Sequence, residues 1–287
     1  TADKSGPTGP TLNEVKNAYS NASWAQNSDF LNMTVQGIQE WKVPATGSYT
    51  IKAAGAKGGD SLDGFSGGKG IDISTTTTLN KGEVIKILVG QMGINTDKIS
   101  PGGGGGTFVV RETQTPIIVA GGGGGGMGNQ SFPSWSGSNI GGNGLSTTTG
   151  GGGGVPNHLP NTIISPGDNG NGATTTVPTG NGMGGQGGGL LSDGANLQYE
   201  PSGKGFINGG LGGGFTGGFG GGASGYNNGP GYNTGGGGGY SGGAGGYYNP
   251  TLSARIPSGG GGSFAISTIT DNGYNSSGGF VVITTNF

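Results

Sequence analysis

The chain has no cysteine and a single histidine, His158, among 287 residues. Without cysteine there is no disulfide, no thiolate metal site and no cysteine nucleophile. One histidine cannot build a histidine metal cluster. A Ser–His–Asp triad would hang on a residue inside "VPNHLPN", whose prolines and asparagines read as a turn. Charge is also scarce: 12 basic and 14 acidic residues give a net charge of −2. The basic residues are scattered and form no patch for nucleic acid. Neither Arg111 nor Arg255 adjoins glycine, which excludes RGG-type RNA-binding segments. No apolar run approaches the ~18 residues of a membrane span, and no signal-peptide pattern is visible. Small secreted domains usually rely on disulfides, so the missing cysteine leans toward a viral, bacterial or intracellular origin.

Glycine is what the chain does have, 77 residues of it, against about 7% in ordinary proteins. With only 29% apolar residues, such a composition ordinarily predicts disorder, because little apolar surface offsets the ordering entropy. The low charge argues the other way, since nothing repels the chain into an extended coil. The glycines also fall in runs, at 102–106, 121–126, 150–154, 235–239 and 259–262, with a looser tract at 209–222. Proline and Asn-Gly punctuate the segments between them, as turn formers do.

Strand signals flank these runs. "GSYTIKAAGAKGG" places Tyr49, Ile51 and Ala53 on one face, and "GIDISTTTTLN" alternates through Ile71 and Ile73. "KGEVIKILVGQMG" reads as a central strand, and "GTFVVRE" and "TPIIVAG" as a hairpin turning at Gln114-Thr115-Pro116. "GSFAISTI" and "GGFVVITTN" add a pair near the other end, the last ending like an edge strand. One helix is expected in "TLNEVKNAYS", where Thr11 and Glu14 have capping-box spacing and Leu12, Val15 and Tyr19 share a face. These signals predict an all-β sandwich from residues 12–120 and 263–287, with 121–262 inserted as a glycine-rich unit. Residues 1–11 form a lead segment. Its "GPTGPT" at 6–11 fits either two collagen-like triplets ending a stalk or a proline-rich entry to the helix.

In "PIIVAGGGGGG" a strand runs directly into six glycines. A polyproline-type helix has three residues per turn, rises about 3.1 Å per residue and makes no internal hydrogen bonds. Its N–H and C=O groups point outward and need partners. Copies without side chains can pack on every side and pair those groups with one another. The runs are therefore expected to form a bundle of polyglycine II helices, held in place by the flanking strands.

The blocks "GPTLNEVKNAYSNAS", "GIQEWKVPATGSYTIKAAGAKGG", "ILVGQMG" and "GGGGGTFVV" followed by "PIIVAGGGGGG" resemble the glycine-rich domain of the anaplastic lymphoma kinase and leukocyte tyrosine kinase receptors. Similar domains occur in bacteria, protists and large DNA viruses. The resemblance runs from about Gly9 to Phe287 and is most specific from Trp41 to Gly59. It implies a TNF-like jelly-roll sandwich with polyglycine helices in an insertion. The receptors bind protein cytokines through this region, but this chain lacks their cysteines, with Val15 where they carry one. A weaker resemblance, in the glycine loops only, is to tip adhesins of long-tailed phages.

Catalytic motifs fail one by one. "GFSGGKG" lacks the first P-loop glycine at Asp63, and Lys69 is followed by Gly70 instead of Ser or Thr. "GGKGIDIST" resembles one calcium nonapeptide but is not repeated and has Ser74 at the apolar position. Asp60 and Asp63 share a glycine loop and are read as solvated acids, not calcium ligands. No enzyme, metal site or cofactor is expected. Aromatics between the glycine runs, Phe132, Trp135, Tyr226, Tyr232, Tyr247 and Tyr248, are candidate ligand anchors at the loop tips. They serve equally as caps that shield the rod ends. Four N-glycosylation patterns stand at Asn21, Asn32, Asn129 and Asn275.

These observations favour a non-enzymatic structural and recognition module on a virion or cell surface. The first expectation is a capsid-associated or fibre-head protein that self-associates as a homotrimer or meets other capsid or surface proteins. A host-surface glycan or protein would be its ligand. The alternative is a receptor-like extracellular domain that binds a protein ligand.

Overall fold

A computed structural model describes residues 2–62, 64–95, 100–128, 140–152, 164–175, 183–196, 201–225, 233–249 and 254–287. Two helices come first, α1 (Leu12–Ala18) and α2 (Ser23–Gln26). Seven strands follow: β1 (Leu31–Val35), β2 (Ile38–Lys42), β3 (Gly47–Ala54), β4 (Gly70–Leu79), β5 (Val84–Leu88), β6 (Thr107–Arg111) and β7 (Pro116–Ala120). Four short strands lie in the glycine-rich part: β8 (Ile164–Ser165), β9 (Thr174–Thr175), β10 (Tyr247–Asn249) and β11 (Ala254–Ile256). The chain returns through β12 (Phe264–Ala265), β13 (Thr270–Asn275) and β14 (Phe280–Thr285).

Two antiparallel sheets form the expected all-β sandwich. The larger has the order β1-β2-β5-β6-β7-β12 and the smaller β13-β4-β3-β14. The alternation read in β3 is the pleat itself: Tyr49, Ile51 and Ala53 are all buried between the sheets. They meet Ile71 and Ile73 of β4 and Ile85, Ile87, Val109 and Ile118 of the larger sheet. Strands β6 and β7 are buried on both faces. Phe108, Val110 and Val119 turn away from the sandwich core and pack with Leu190, Phe206 and Phe219 of the glycine-rich part. That is why "TFVV" and "IIVA" read as continuous apolar runs instead of alternating.

Past Ala120 the ladder gives way to a rod. Gly122 and Gly125 donate to the carbonyls of Gly238 and Gly235, at 2.8 and 3.0 Å. Gly123 and Gly126 donate to Ala56 and Gly59, both at 2.9 Å, and Gly124 donates to Gly142 at 2.8 Å. The carbonyls accept in the same rhythm. Gly121 and Gly124 accept from Ile71 and Gly68, Gly122 from Gly261, and Gly123 from Gly104. In the pairs 122/125, 123/126 and, through their carbonyls, 121/124, residues three apart meet the same neighbour, whose numbering rises or falls by three. This period is that of the polyproline-type helix. The run 121–126 thus has six neighbouring segments, three that it donates to and three that it accepts from. The bundle is not confined to residues 121–262, since 55–59, 67–71 and 101–106 supply rods to it.

The glycines are required here for their missing Cβ, not for unusual dihedrals. None of the glycines at 121–126 has positive φ. A Cβ placed on any of the six would come within 3.0 Å of a backbone oxygen of a neighbouring segment.

Candidate functional site

The expected capping box forms. Thr11 N donates to Glu14 Oε2 at 2.7 Å, and Glu14 N donates to Thr11 Oγ1 at 3.3 Å. Lys4 closes on the other carboxylate oxygen of Glu14 at 2.8 Å. The Lys4 and Thr11 hydrogen bonds hold the Glu14 carboxyl down, from 4.5 to about 2. Gln26 Nε2 ties α2 back to α1 through the carbonyls of Lys16 and Tyr19, at 3.0 and 3.2 Å. Val15, Ala25 and Leu31 fasten both helices onto β1.

This anchorage builds one wall of a groove of about 700 Å³. Tyr19, Trp24 and Phe30 stand on that wall, each more than a third exposed. Tyr19 and Trp24 have ring centroids 5.8 Å apart, and burial pushes the Tyr19 hydroxyl pKa up. The floor comes from β2 and β5, through Gln39, Trp41 and Ile87. The opposite wall is β14. Trp41 meets Tyr49 edge-on at 6.1 Å, and the Tyr49 hydroxyl donates to Ala45 O at 2.7 Å. Among the described residues, no Asp, Glu, Lys or Arg lines the groove. It offers apolar and aromatic surface with few polar points, a surface suited to binding and without the paired ionisable groups of acid–base catalysis.

The aromatics singled out in the sequence do not form this site. Tyr247 is a correction. It is not an exposed loop tip but is 1% exposed in β10, packed with Met183, Ala244 and Ile256. Burial raises its hydroxyl pKa. Strand β10 pairs with β11 and opens no loop at that point, so Tyr247 fills the bundle instead of facing a ligand. Tyr248 stands opposite Arg255 in the same ladder. Phe132, Trp135, Tyr226 and Tyr232 lie outside the described residues, as do His158, Asp63 and Asn129. Asp60 Oδ1 is taken up by Lys57 and by Gly67 N. Asn21 and Asn32 are exposed. Asn275 is another correction to the glycan acceptors: its Nδ2 is spent on the carbonyls of Gly55 and Gly278, at 2.9 and 2.8 Å. A glycan on that nitrogen would dismantle the turn before β14. Among the described residues, no helix is long and apolar enough to cross a membrane.

The groove was not foreseen from the sequence. Its signal was there, in four aromatics (Tyr19, Trp24, Phe30 and Trp41) close together in a chain otherwise poor in large side chains.

No protein-family model matches the chain. A stretch of 104 residues, 36% of the chain, is 38% identical to the leukocyte tyrosine kinase receptor of Mus musculus. The chain covers 11% of that receptor's length. The similarity supports part of the resemblance read from the sequence. Neither the fold nor this comparison supplies an observation for a capsid component or a homotrimer.

Proposed function

We propose that the chain is a non-enzymatic, extracellular recognition module of receptor type that binds a protein ligand. The observation that carries this reading is the uncharged groove walled by the exposed rings of Tyr19, Trp24 and Phe30. Solvent-exposed aromatics around an apolar floor are the composition of protein-binding hot spots. The similarity to a tyrosine kinase receptor supports the same class and favours it over a particle component. In this reading the sandwich presents the binding surface, and the glycine bundle is a stiff, nearly uncharged body behind it.

The test is an array of secreted and cell-surface proteins probed with the labelled chain and with a Trp24→Ser/Phe30→Ser variant. Saturable binding of the wild type to a folded protein, weakened at least tenfold in a variant of similar melting temperature, is the expected result. Equal binding by both, or no retained protein, would overturn it.

A further inference from the structure

Strand edges are liabilities that proteins blunt with bulges, charges or short strands. Three of the four edges of this sandwich are blunted. Strand β1 carries a register shift between Asn32 and Val35, β13 carries one between Asp271 and Gly273, and β12 is two residues long. Strand β14 has none of these devices. "FVVITT" is uncharged, and its six residues pair with β3 in unbroken register.

The alternation of the ladder shows which groups are left over. Asn286 N donates to Ser48 O, so residues 286, 284, 282 and 280 face β3. Gly279 confirms the phase, donating away from β3 to Gly90 O at 2.9 Å. Val281, Ile283 and Thr285 therefore turn their N–H and C=O groups to the open side, over the groove.

The two sheets are unequal at this end. Strand β4 packs across β7, and β3 across β6 and β7. Next in order, β14 shares the groove with Ile87 of β5, and Gly279 just before β14 bonds Gly90 just after β5; β2 and β1 follow β5 in the larger sheet, with no strand after β14 in the smaller. The groove is the space a fifth strand of the smaller sheet would occupy, floored by β2 and closed by Trp24 and Phe30.

Resting on the protein-ligand reading above, we infer that β14 takes an extended, uncharged, apolar segment of the partner protein as an added strand. The segment would pair with Val281, Ile283 and Thr285 and set alternate side chains against Trp24, Phe30 and Trp41. Charge complementarity selects its composition, because no charged side chain among the described residues lines the slot. Geometry selects a lone strand over a second copy of this chain. Two copies joined about a two-fold axis at β14 would drive both projecting β1–β2 edges into the same volume.

Phage-displayed ten-residue peptides selected on the wild type provide the probe. Selected peptides should be uncharged, with apolar residues at alternate positions. In hydrogen exchange of the free protein, the amides of Val281, Ile283 and Thr285 should exchange fast while those of Val282 and Thr284 are protected. Peptide binding should slow the first three at least tenfold. Ile283→Pro removes one outward N–H and spares the ladder to β3, and should weaken binding at least tenfold. Thr285→Pro repeats the test at an exposed position. Peptides that leave the three amides fast would overturn the strand addition, and so would unaltered binding to both proline variants. A dimer in light scattering with those amides already protected would replace the partner segment with a second copy. A protein ligand that binds without protecting them would leave the recognition function standing and sink only its mode.

Discussion

The sandwich and the glycine bundle bury their backbones by opposite means. In the sandwich each strand pairs in one plane, and side chains such as Ile51, Ile73 and Ile85 fill the gap between planes. In the bundle a rod pairs on all sides, backbone to backbone except where the Ser263 and Ser258 hydroxyls meet Gly121 N and Gly125 O, as at 121–126. The sandwich gains chiefly from removing apolar area from water, about 25 cal/mol per Å². The bundle must recover the high conformational entropy of glycine from hydrogen bonds worth about 0.5–1.5 kcal/mol each. It does so only where nearly every N–H and C=O finds a partner. The two regions share the larger sheet, one face of which is packed by the sandwich and the other by Leu190, Phe206 and Phe219. The bundle therefore borrows its hydrophobic anchorage from the sheet it is built on.

The difference predicts how each region answers a change of size. Gly123 is the harshest position to alter. A Cβ there would run into the backbone of Gly68, and neither rod can give way without breaking its other contacts. Gly123→Val is expected to cost more than about 4 kcal/mol, the range reserved for severe overpacking and broken networks. The loss should appear as a collapsed melting transition. In the sandwich the same kind of test runs in reverse. Ile51, fully buried, should cost about 2–5 kcal/mol when cut to Ala and about 0.5–1.5 when cut to Val. An Ile51→Val protein that melts only a few degrees below the wild type beside an unfolded Gly123→Val would confirm that the two cores obey different rules. A Gly123→Val protein that melts normally would make that run a loop.

The contrast also explains what could be read from the sequence. Strands β3, β4 and β5 carried a period of two or a β-branched run, and both reflect burial. The rods carried a cruder signal, homopolymer glycine, yet one that a single geometry satisfies. Strands β1, β2 and β13 went unread. "LNMTV" alternates but buries only Leu31, "TDNGYN" is polar on most positions, and both lie at sheet edges, where half of each strand is solvated and neighbours in space decide pairing. The groove was hidden for a related reason. Tyr19 was placed on the apolar face of α1, but nothing local says that β2 projects past β14 to leave a space beside it. That space follows from unequal strand numbers in two sheets, a property of the whole fold.

Acid separates the regions more gently. The Glu14 carboxyl, held down to about 2 by Lys4 and Thr11, has an ordinary value of 4.5. A depressed value means that the stabilisation is complete above the ordinary one and is lost as pH falls toward the depressed one. Between pH 5 and pH 2 the first turn of α1 should therefore loosen, and with it the wall carrying Tyr19 and Trp24. Glu14→Gln should show the same loosening at pH 7. The rods at 121–126, 235–239 and 259–262 contain no ionisable side chain, and their amides should stay protected throughout. Asp193 supplies an internal comparison within the glycine-rich part. Burial raises its pKa, but hydrogen bonds from Lys204, Asn208 and Gly205 outweigh this and lower it. The turn at Phe206–Asn208 should thus be the acid-sensitive point of that region.

The smallest effect is expected where a glycine run reaches the surface. Gly152 is exposed, its φ is not positive, and the atom nearest to an added Cβ is Pro166 Cδ at 3.8 Å. That is ordinary contact. Alanine there also restricts the unfolded chain, a gain of about 0.4–1 kcal/mol where the native dihedrals suit it. Gly152→Ala should leave the melting temperature unchanged or raise it slightly. A large loss would mean that even the outer rods are held by contacts on every side, so that the rule seen at Gly123 extends to the edge of the bundle. Near-neutrality would show that the intolerance of the rods comes from neighbours and not from glycine's backbone, because the residue type is the same, its φ is not positive at either position, and the surroundings differ.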